Sequence, residues 1–249
     1  MNGARPLAAR RIVITGPEVG ALGDHLADLG AEVVHVPFIE IAEAADGGRA
    51  LRGALARLDA FDWVVVTSAN GARRVGASLA GRATPRLAAV GPVTAGVLAE
   101  LAGRAVDLVA AVPRVEGLLA EFPGPPSRVL VAQADRASTD LADGLVADGH
   151  SVEVVAAYTT VDRRPPDAEL ERLRGADAVV FASGSAVTSW VAARGTDVPP
   201  AVVVIGPVTL RVASAAGLTV TGVAASPGPD GVGAALAEAL GRGGAQSAS

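Results

Sequence analysis

Short runs of β-branched and apolar residues alternate along the chain with stretches whose apolar positions recur every three or four residues. Arg11–Thr15, Ala31–Pro37, Trp63–Thr67, Leu87–Val90 and Ala105–Val109 read as strands, as do Arg128–Ala132, Ser151–Thr160, Ala178–Ala182, Ala201–Ile205 and Leu218–Gly222. Val64-Val65-Val66 and Val202-Val203-Val204-Ile205 are apolar without a break, the pattern of parallel strands covered on both faces. Between such runs, Ala137–Asp148 predicts an amphipathic helix with Leu141, Leu145 and Val146 on one stripe. Strand–helix alternation predicts right-handed βαβ units. Ten strands then divide into two five-stranded parallel sheets flanked by helices, an α/β fold of two similar lobes.

The pattern repeats. Asp62-Trp63-Val64-Val65-Val66-Thr67-Ser68-Ala69-Asn70 resembles Asp177-Ala178-Val179-Val180-Phe181-Ala182-Ser183-Gly184-Ser185, 115 positions later. Gly91-Pro92-Val93-Thr94 recurs as Gly206-Pro207-Val208-Thr209 at the same displacement of 115. More loosely, Arg11–Ile41 resembles Arg128–Val161, so the order of units is A-B-A-B. Contiguous lobes and lobes that exchange their A units both satisfy this order. Val33–Ile41 and Val152–Val161 favour exchange, because each outruns the usual five or six residues of a strand. Their outer halves, Phe38–Ile41 and Ala157–Thr160, would cross between lobes as a two-stranded connector.

Composition removes whole classes of chemistry. The chain has no Cys, which excludes disulfides, thiolate nucleophiles and Cys-ligated metal centres, and all 21 of its basic residues are Arg. Without Lys there is no Schiff base and no phosphate-binding P-loop lysine. His25, His35 and His150 are scattered without metal-ligand spacing and read as surface or structural residues. A net charge of -5 without a basic run argues against nucleic acid as a partner. The longest uncharged stretch, Val212–Pro229, is rich in Gly, Ser, Thr and Pro and is no membrane span. Met1–Arg11 has no apolar segment of the kind a signal peptide needs, which points to the cytoplasm.

Ligands of open parallel sheets bind beyond the carboxyl ends of strands, where the next helix begins. Four such ends carry small residues with free N–H groups: Thr67-Ser68-Ala69-Asn70, Gly91-Pro92-Val93-Thr94, Ala182-Ser183-Gly184-Ser185 and Gly206-Pro207-Val208-Thr209. Each reads either as a plain helix cap or as an anion site, since helix N-termini attract negative charge. Four related turns point to a ligand with several carboxylates or phosphates. Thr15-Gly16-Pro17-Glu18-Val19-Gly20 lacks the glycine spacing of a dinucleotide site, and no Ser sits in a nucleophile elbow. Asp135 and Asp140 read as helix-dipole partners rather than catalysts. Tyr158, the sole tyrosine, reads either as a structural aromatic or as a phenol that donates a proton.

Together these features resemble the uroporphyrinogen-III synthase family. The likeness is carried by Val-Val-Thr-Ser-Ala-Asn at Val65–Asn70, Ala-Val-Gly-Pro-Val-Thr-Ala at Ala89–Ala95 and Val-Phe-Ala-Ser at Val180–Ser183. Ile-Gly-Pro-Val-Thr at Ile205–Thr209 and the pair Tyr158–Thr159 complete it. The resemblance implies the exchanged topology, with residues 1–37 and 162–249 as one lobe, 42–155 as the other, and 38–41 and 156–161 as connecting strands. It also implies cyclisation of hydroxymethylbilane to uroporphyrinogen III with ring D inverted, by a monomer that needs no cofactor or metal. Ring A loses its hydroxyl to give an azafulvene, the substituted carbon of ring D attacks, and the spiro intermediate fragments and recloses. In such proteins the tetrapyrrole lies between the lobes, held largely by main-chain contacts at the turns. The residues that correspond here are Thr67, Ser68, Ala69, Asn70, Gly91, Thr94, Ser183, Gly184, Ser185, Gly206 and Thr209, with Tyr158 as the acid. A transient contact with the preceding enzyme of the pathway is a further implied partner; no membrane or nucleic acid is. Gly16, Gln133 and Ser138 depart from the family, which often carries basic residues at those places. Two other readings stay open: a non-catalytic ligand-sensing protein of the same fold, and a two-lobed sugar-nucleotide transferase. The latter calls for an acidic ribose-binding residue after a glycine-rich turn, and the sequence shows none.

Overall fold

The computed structural model describes residues 5–246; the ends of the expected discontinuous lobe, residues 1–4 and 247–249, lie outside them. In chain order the elements are β1 (Arg11–Ile14), α1 (Gly20–Asp28), β2 (Glu32–His35), β3 (Ile39–Ala42), α2 (Arg49–Leu55), β4 (Trp63–Val66) and α3 (Ala69–Leu79). There follow β5 (Arg86–Ala89), α4 (Pro92–Ala102), β6 (Leu108–Val109), α5 (Val115–Glu121), β7 (Arg128–Ala134), α6 (Asp140–Ala147) and β8 (Ser151–Asp162). The chain ends with α7 (Asp167–Leu170), β9 (Ala178–Phe181), α8 (Gly184–Arg194), β10 (Ala201–Val204), α9 (Pro207–Ala215), β11 (Gly222–Val223) and α10 (Pro229–Gln246).

Two sheets result, ordered β11-β10-β9-β1-β2 and β3-β8-β7-β4-β5-β6. The strands of the first are parallel throughout, and so are β8, β7, β4, β5 and β6 of the second. Each sheet joins an A unit of one half of the sequence to the B unit of the other half. The chain divides into two compact units, one formed by the chain up to Glu40 and again from Val161, the other by Ile41–Thr160.

In each unit successive strand residues alternate between two buried faces. In the first, Val13, Val179, Phe181, Val202 and Val204 pack under α8 and α9, while Ile12, Ile14, Val180 and Val203 pack under α1 and α10. Trp190 fills the first of these cores, with Phe38 at 4.6 Å and Phe181 edge-on at 5.6 Å. In the second unit Val64, Val66, Leu87 and Leu130 meet α2, α3 and α4, and Trp63, Val65, Val129 and Val131 meet α5 and α6.

One carboxylate per unit fixes the register of the central strands. The Asp177 Oδ2 accepts from the Arg11 N–H at 2.8 Å, while the Asp177 N–H donates to the Arg11 carbonyl at 2.8 Å. Asp62 does the same to Arg128, at 2.7 and 2.8 Å. The next strand is tied by the same logic: the Leu87 N–H donates to Asp107 Oδ2 at 2.8 Å and the Val202 N–H to Thr221 Oγ1 at 2.9 Å. A side-chain acceptor thus supplies what a missing strand residue would have supplied.

Three expectations change. Among the described residues there are eleven strands rather than ten, because the segment expected as a connector after Pro37 forms β3 (Ile39–Ala42). Pro37 has no N–H to continue a ladder, so β2 ends before it and β3 starts beyond it as a sixth member of the second sheet. Ala105–Val109 and Leu218–Gly222 shrink to the two-residue β6 and β11. Residues ahead of both are still closing a helix, with the Arg104 N–H on the Ala99 carbonyl and the Leu218 N–H on the Ala213 carbonyl. Val146 is 56% exposed rather than on the buried stripe of α6. Five positions at about 100° each set it well away from Leu141 around the helix.

Where the first unit's two chain segments run side by side, Arg163 ties them. Its guanidinium grips Glu169 at 2.8 and 2.7 Å, bonds Glu40 at 3.0 Å, and donates to the Pro37 carbonyl at 2.9 Å. The hydrogen bonds from Arg163 hold the Glu169 carboxyl below the ordinary glutamate range. A depressed carboxyl stabilises the fold above its unfolded value and loses that contribution as pH falls through its folded value. We therefore expect Arg163→Ala to lower Tm by about 2–4 °C at neutral pH. The gap from wild type should close progressively as the solution is acidified through the carboxylate range. Calorimetry of both proteins across that range checks it, and a gap that widens on acidification would refute the assignment.

Candidate functional site

Parallel strands put every following helix N-terminus on the same edge of a sheet. In the second unit the turns after the adjacent strands β4 and β5, Thr67–Asn70 and Gly91–Thr94, therefore lie side by side. In the first unit Ser183–Ser185 and Gly206–Thr209 follow the adjacent strands β9 and β10 in the same way. The expected turns are brought together in pairs, one pair per unit.

The members of each pair are built differently. Ser68 and Ser183 are extended N-caps whose hydroxyls accept from the Gly71 N–H at 3.1 Å and the Ala186 N–H at 3.2 Å. For these two hydroxyls capping is realised. Gly91 and Gly206 cap α4 and α9 without a side chain, with Pro92 and Pro207 as the first helical residues. Their N-terminal N–H groups keep no side-chain acceptor, so of the four expected turns these two have no donor taken by a side-chain cap. Val93 and Val208 stand exposed beside those donors, while Thr94 and Thr209 are buried, at 8% and 4% exposure. Asn70 is turned along its own helix, where its side-chain oxygen accepts from Arg73 at 3.0 Å.

Tyr158 reaches this edge through an irregularity in the sheet. β7 and β8 pair in step from Arg128↔Ser151 to Gln133↔Ala156, after which Ala134 pairs with Tyr158. One extra residue is thus accommodated in β8, a β-bulge, which re-aims the side chains beyond it. Strict alternation would place Tyr158 on the face opposite Val155 and Ala157; instead all three lie in the core under α3. The ring is 7% exposed, and its hydroxyl lies 3.0 Å from Ser68 Oγ, beyond the end of β4. Asp135 secures the backbone there: its N–H donates to the Tyr158 carbonyl at 3.0 Å and its carboxylate accepts from Thr159 Oγ1 at 2.6 Å. Asp135 is therefore a strand tie rather than a helix-dipole partner, whereas Asp140 does open α6.

Close approach of α3 to the sheet depends on Gly71. A Cβ there would sit 2.9 Å from Val66 Cγ1 and 3.2 Å from the Ala132 carbonyl oxygen. The Ser68–Tyr158 contact was not foreseen in the sequence, and neither was the bulge. The break in alternation at Ala156-Ala157-Tyr158 is the one signal that could have revealed them. The histidines stay apart from both pairs of turns in their hydrogen bonding: His35 Nε2 is 2.9 Å from the Gly16 carbonyl, His150 Nδ1 accepts from the Ser127 N–H at 3.1 Å, and His25 lies 3.5 Å from Asp230. Gln133 is buried, its amide reaching the Ser138 carbonyl at 3.4 Å. Among the described residues no group of three or more His, Asp or Glu is placed to hold a metal ion, and no helix is long and apolar enough to cross a membrane.

The family model described as uroporphyrinogen-III synthase HemD matches residues 20–233. The chain belongs to the uroporphyrinogen-III synthase family. Membership places it in tetrapyrrole biosynthesis. Among solved structures, uroporphyrinogen-III synthetase from Helicobacter pylori is similar with a TM-score of 0.61, at 16% identity over 93% of this chain and 99% of that one. A mutant uroporphyrinogen III synthase from Thermus thermophilus gives 0.58, at 19% identity over 94% of this chain and all of that one. At such identities the likeness shows the synthase fold. No curated protein matches the sequence.

Replacing Gly71 by Ala should push the first turn of α3 off the sheet and carry Ser68 with it. Overpacking of this kind costs about 1–3 kcal/mol, so Tm should fall by several degrees while Gly53→Ala, at a helix position with open space around it, leaves Tm unchanged or raised. Melting curves of the two variants provide the comparison.

Proposed function

We propose that the chain is a hydro-lyase that cyclises hydroxymethylbilane to uroporphyrinogen III with inversion of ring D, without cofactor or metal. Family membership carries the reading, and the paired turns with Tyr158 at their edge support it. The substrate's carboxylates suit the main-chain donors at Gly91–Thr94 and Gly206–Thr209, where helix N-termini are free of side-chain caps. Exposed Val93 and Val208 beside those donors suit the apolar pyrrole rings. Thr67, Ala69, Asn70, Ser183, Gly184 and Ser185 complete the contacting turns.

The chemistry asks little of side chains. Hydroxymethylbilane closes unaided to the isomer without inversion, so the protein's task is to hold the chain in the geometry that favours attack by the substituted carbon of ring D. Such positioning replaces an entropic barrier. One proton transfer assists it: Tyr158 gives its phenol proton to the ring A hydroxyl, which leaves as water with the electron pair of its C–O bond. Electrons from the pyrrole nitrogen fill the gap as the azafulvene cation forms. Ring D attacks, the spiro intermediate fragments and recloses, and the proton finally shed from ring D restores the phenol. Absence of Lys and Cys removes nothing this scheme uses.

The deciding experiment adds hydroxymethylbilane to purified, chelator-treated and desalted protein and separates isomers I and III. Isomer III should predominate; isomer I alone, or isomer III only after metal is restored, would overturn the proposal. Tyr158→Phe should keep the fold and slow isomer III formation by about 10²–10⁴-fold at most, the usual worth of a general acid. Thr209→Trp, which crowds the first turn of α9, should do comparable harm, and Thr209→Ala little. Complete loss in Tyr158→Phe with a silent Thr209→Trp would show that a specific acid rather than positioning carries the reaction.

A further inference from the structure

Ser68 and Tyr158 share a contact in which either hydroxyl can donate. The Ser68 hydroxyl owns one proton and two lone pairs. One lone pair is already taken by the Gly71 N–H at 3.1 Å, as the cap of α3 requires. The phenol oxygen lies 3.0 Å away, and among the described residues it is the acceptor within reach of the Ser68 proton. If Ser68 donates to it, the serine's proton and its capping lone pair are both disposed in good geometry, and the phenol's own proton points away from the serine. If the phenol donates instead, its proton is committed to Ser68 and is not available to a substrate.

We propose that Ser68 is the positioning residue of Tyr158: its hydroxyl donates to the phenol oxygen and leaves the phenol proton free for the substrate. This rests on the reading of Tyr158 as the acid, and it changes the part given to Ser68, which acts through the tyrosine rather than on the substrate. When the phenol O–H breaks and its proton goes to the departing hydroxyl, the phenolate oxygen keeps the Ser68 O–H, and a hydrogen bond to a charged acceptor is stronger than one to a neutral acceptor. The same bond stabilises the product of proton transfer more than its reactant. The second unit is specialised in this respect, for among the described residues the matching cap Ser183 bonds Ala186 alone.

Because Tyr158 is the only tyrosine, its hydrogen bonding can be read directly from the tyrosine doublet in the Raman spectrum of the whole protein. The intensity ratio of that doublet is high when the phenol accepts a hydrogen bond and low when it donates one. Wild type, Ser68→Ala, Ser68→Thr and Ser183→Ala are compared at one pH. The acceptor signature should be present in wild type, fall in Ser68→Ala, persist in Ser68→Thr, and be untouched in Ser183→Ala although that variant also loses a cap. With hydroxymethylbilane, Ser68→Ala should lower kcat for isomer III about tenfold, the worth of one hydrogen bond to a charged group, with KM moved less than about twofold and kcat recovered in Ser68→Thr. A donor signature in wild type, a doublet unchanged in Ser68→Ala, or a loss expressed in KM alone would each overturn the proposal. The expected Raman change in protein that forms no isomer III would keep the bonded pair and overturn the catalytic role of Tyr158 instead.

Discussion

All strands of the first sheet, and five of the six in the second, run in the same direction, and everything functional here depends on that. A parallel sheet leaves its strand ends chemically unequal: at one edge chains enter, at the other each chain turns into a helix and presents unsatisfied N–H groups. In this protein the entering edge is closed by side chains. Asp62 and Asp177 bind the first N–H of the neighbouring strand, and Asp107 and Thr221 repeat the device further out. At the leaving edge Ser68 and Ser183 each take one helix N–H, while Gly91 and Gly206 take none. Polarity of the backbone thus separates a face built for register from a face available to a ligand.

Much of this was legible in the sequence because it is carried by patterns that repeat. Uninterrupted valines mark strands buried twice over, and the two matches displaced by 115 residues pick out the four turns before any coordinates exist. What escaped was decided by single residues against the pattern. Val146 looks core-facing in composition but is rotated out by helix geometry. The bulge in β8 shifts Tyr158 to the other face, and a one-residue shift inverts sidedness without altering composition. Ser68 was visible as a cap and as a turn residue, yet its contact with a tyrosine 90 positions away is a product of the fold alone.

The bulge and the cap belong to one arrangement. Gly71 lets α3 sit close on β4 and β7, which brings Ser68 to the height of the phenol. Meanwhile Asp135 pins the strand on the far side of the bulge, so the ring has a fixed floor. The aromatic is held by core packing along its length and by a hydroxyl at its tip. The first unit keeps the frame of this arrangement in Ser183, Gly184 and their turn, where the Ser183 hydroxyl serves the cap. Two related turns have thus diverged at the site while their backbone frame stayed the same.

Exchange of segments between the two sheets also sets an order on how the protein can be made. β1 and β2 are synthesised before the other strands described, but the strand that pairs with β1 on its inner side, β9, begins at Ala178. The unit of Ile41–Thr160 is complete well before that. During synthesis the opening segment must therefore wait, apolar on both faces and with an edge unpaired, while its neighbour in sequence finishes folding. A chain ending between Thr160 and Ala178 carries every residue of the second unit but leaves β1 and β2 without β9. For this molecule the vulnerable moment for aggregation or proteolysis comes in translation, before any substrate is met.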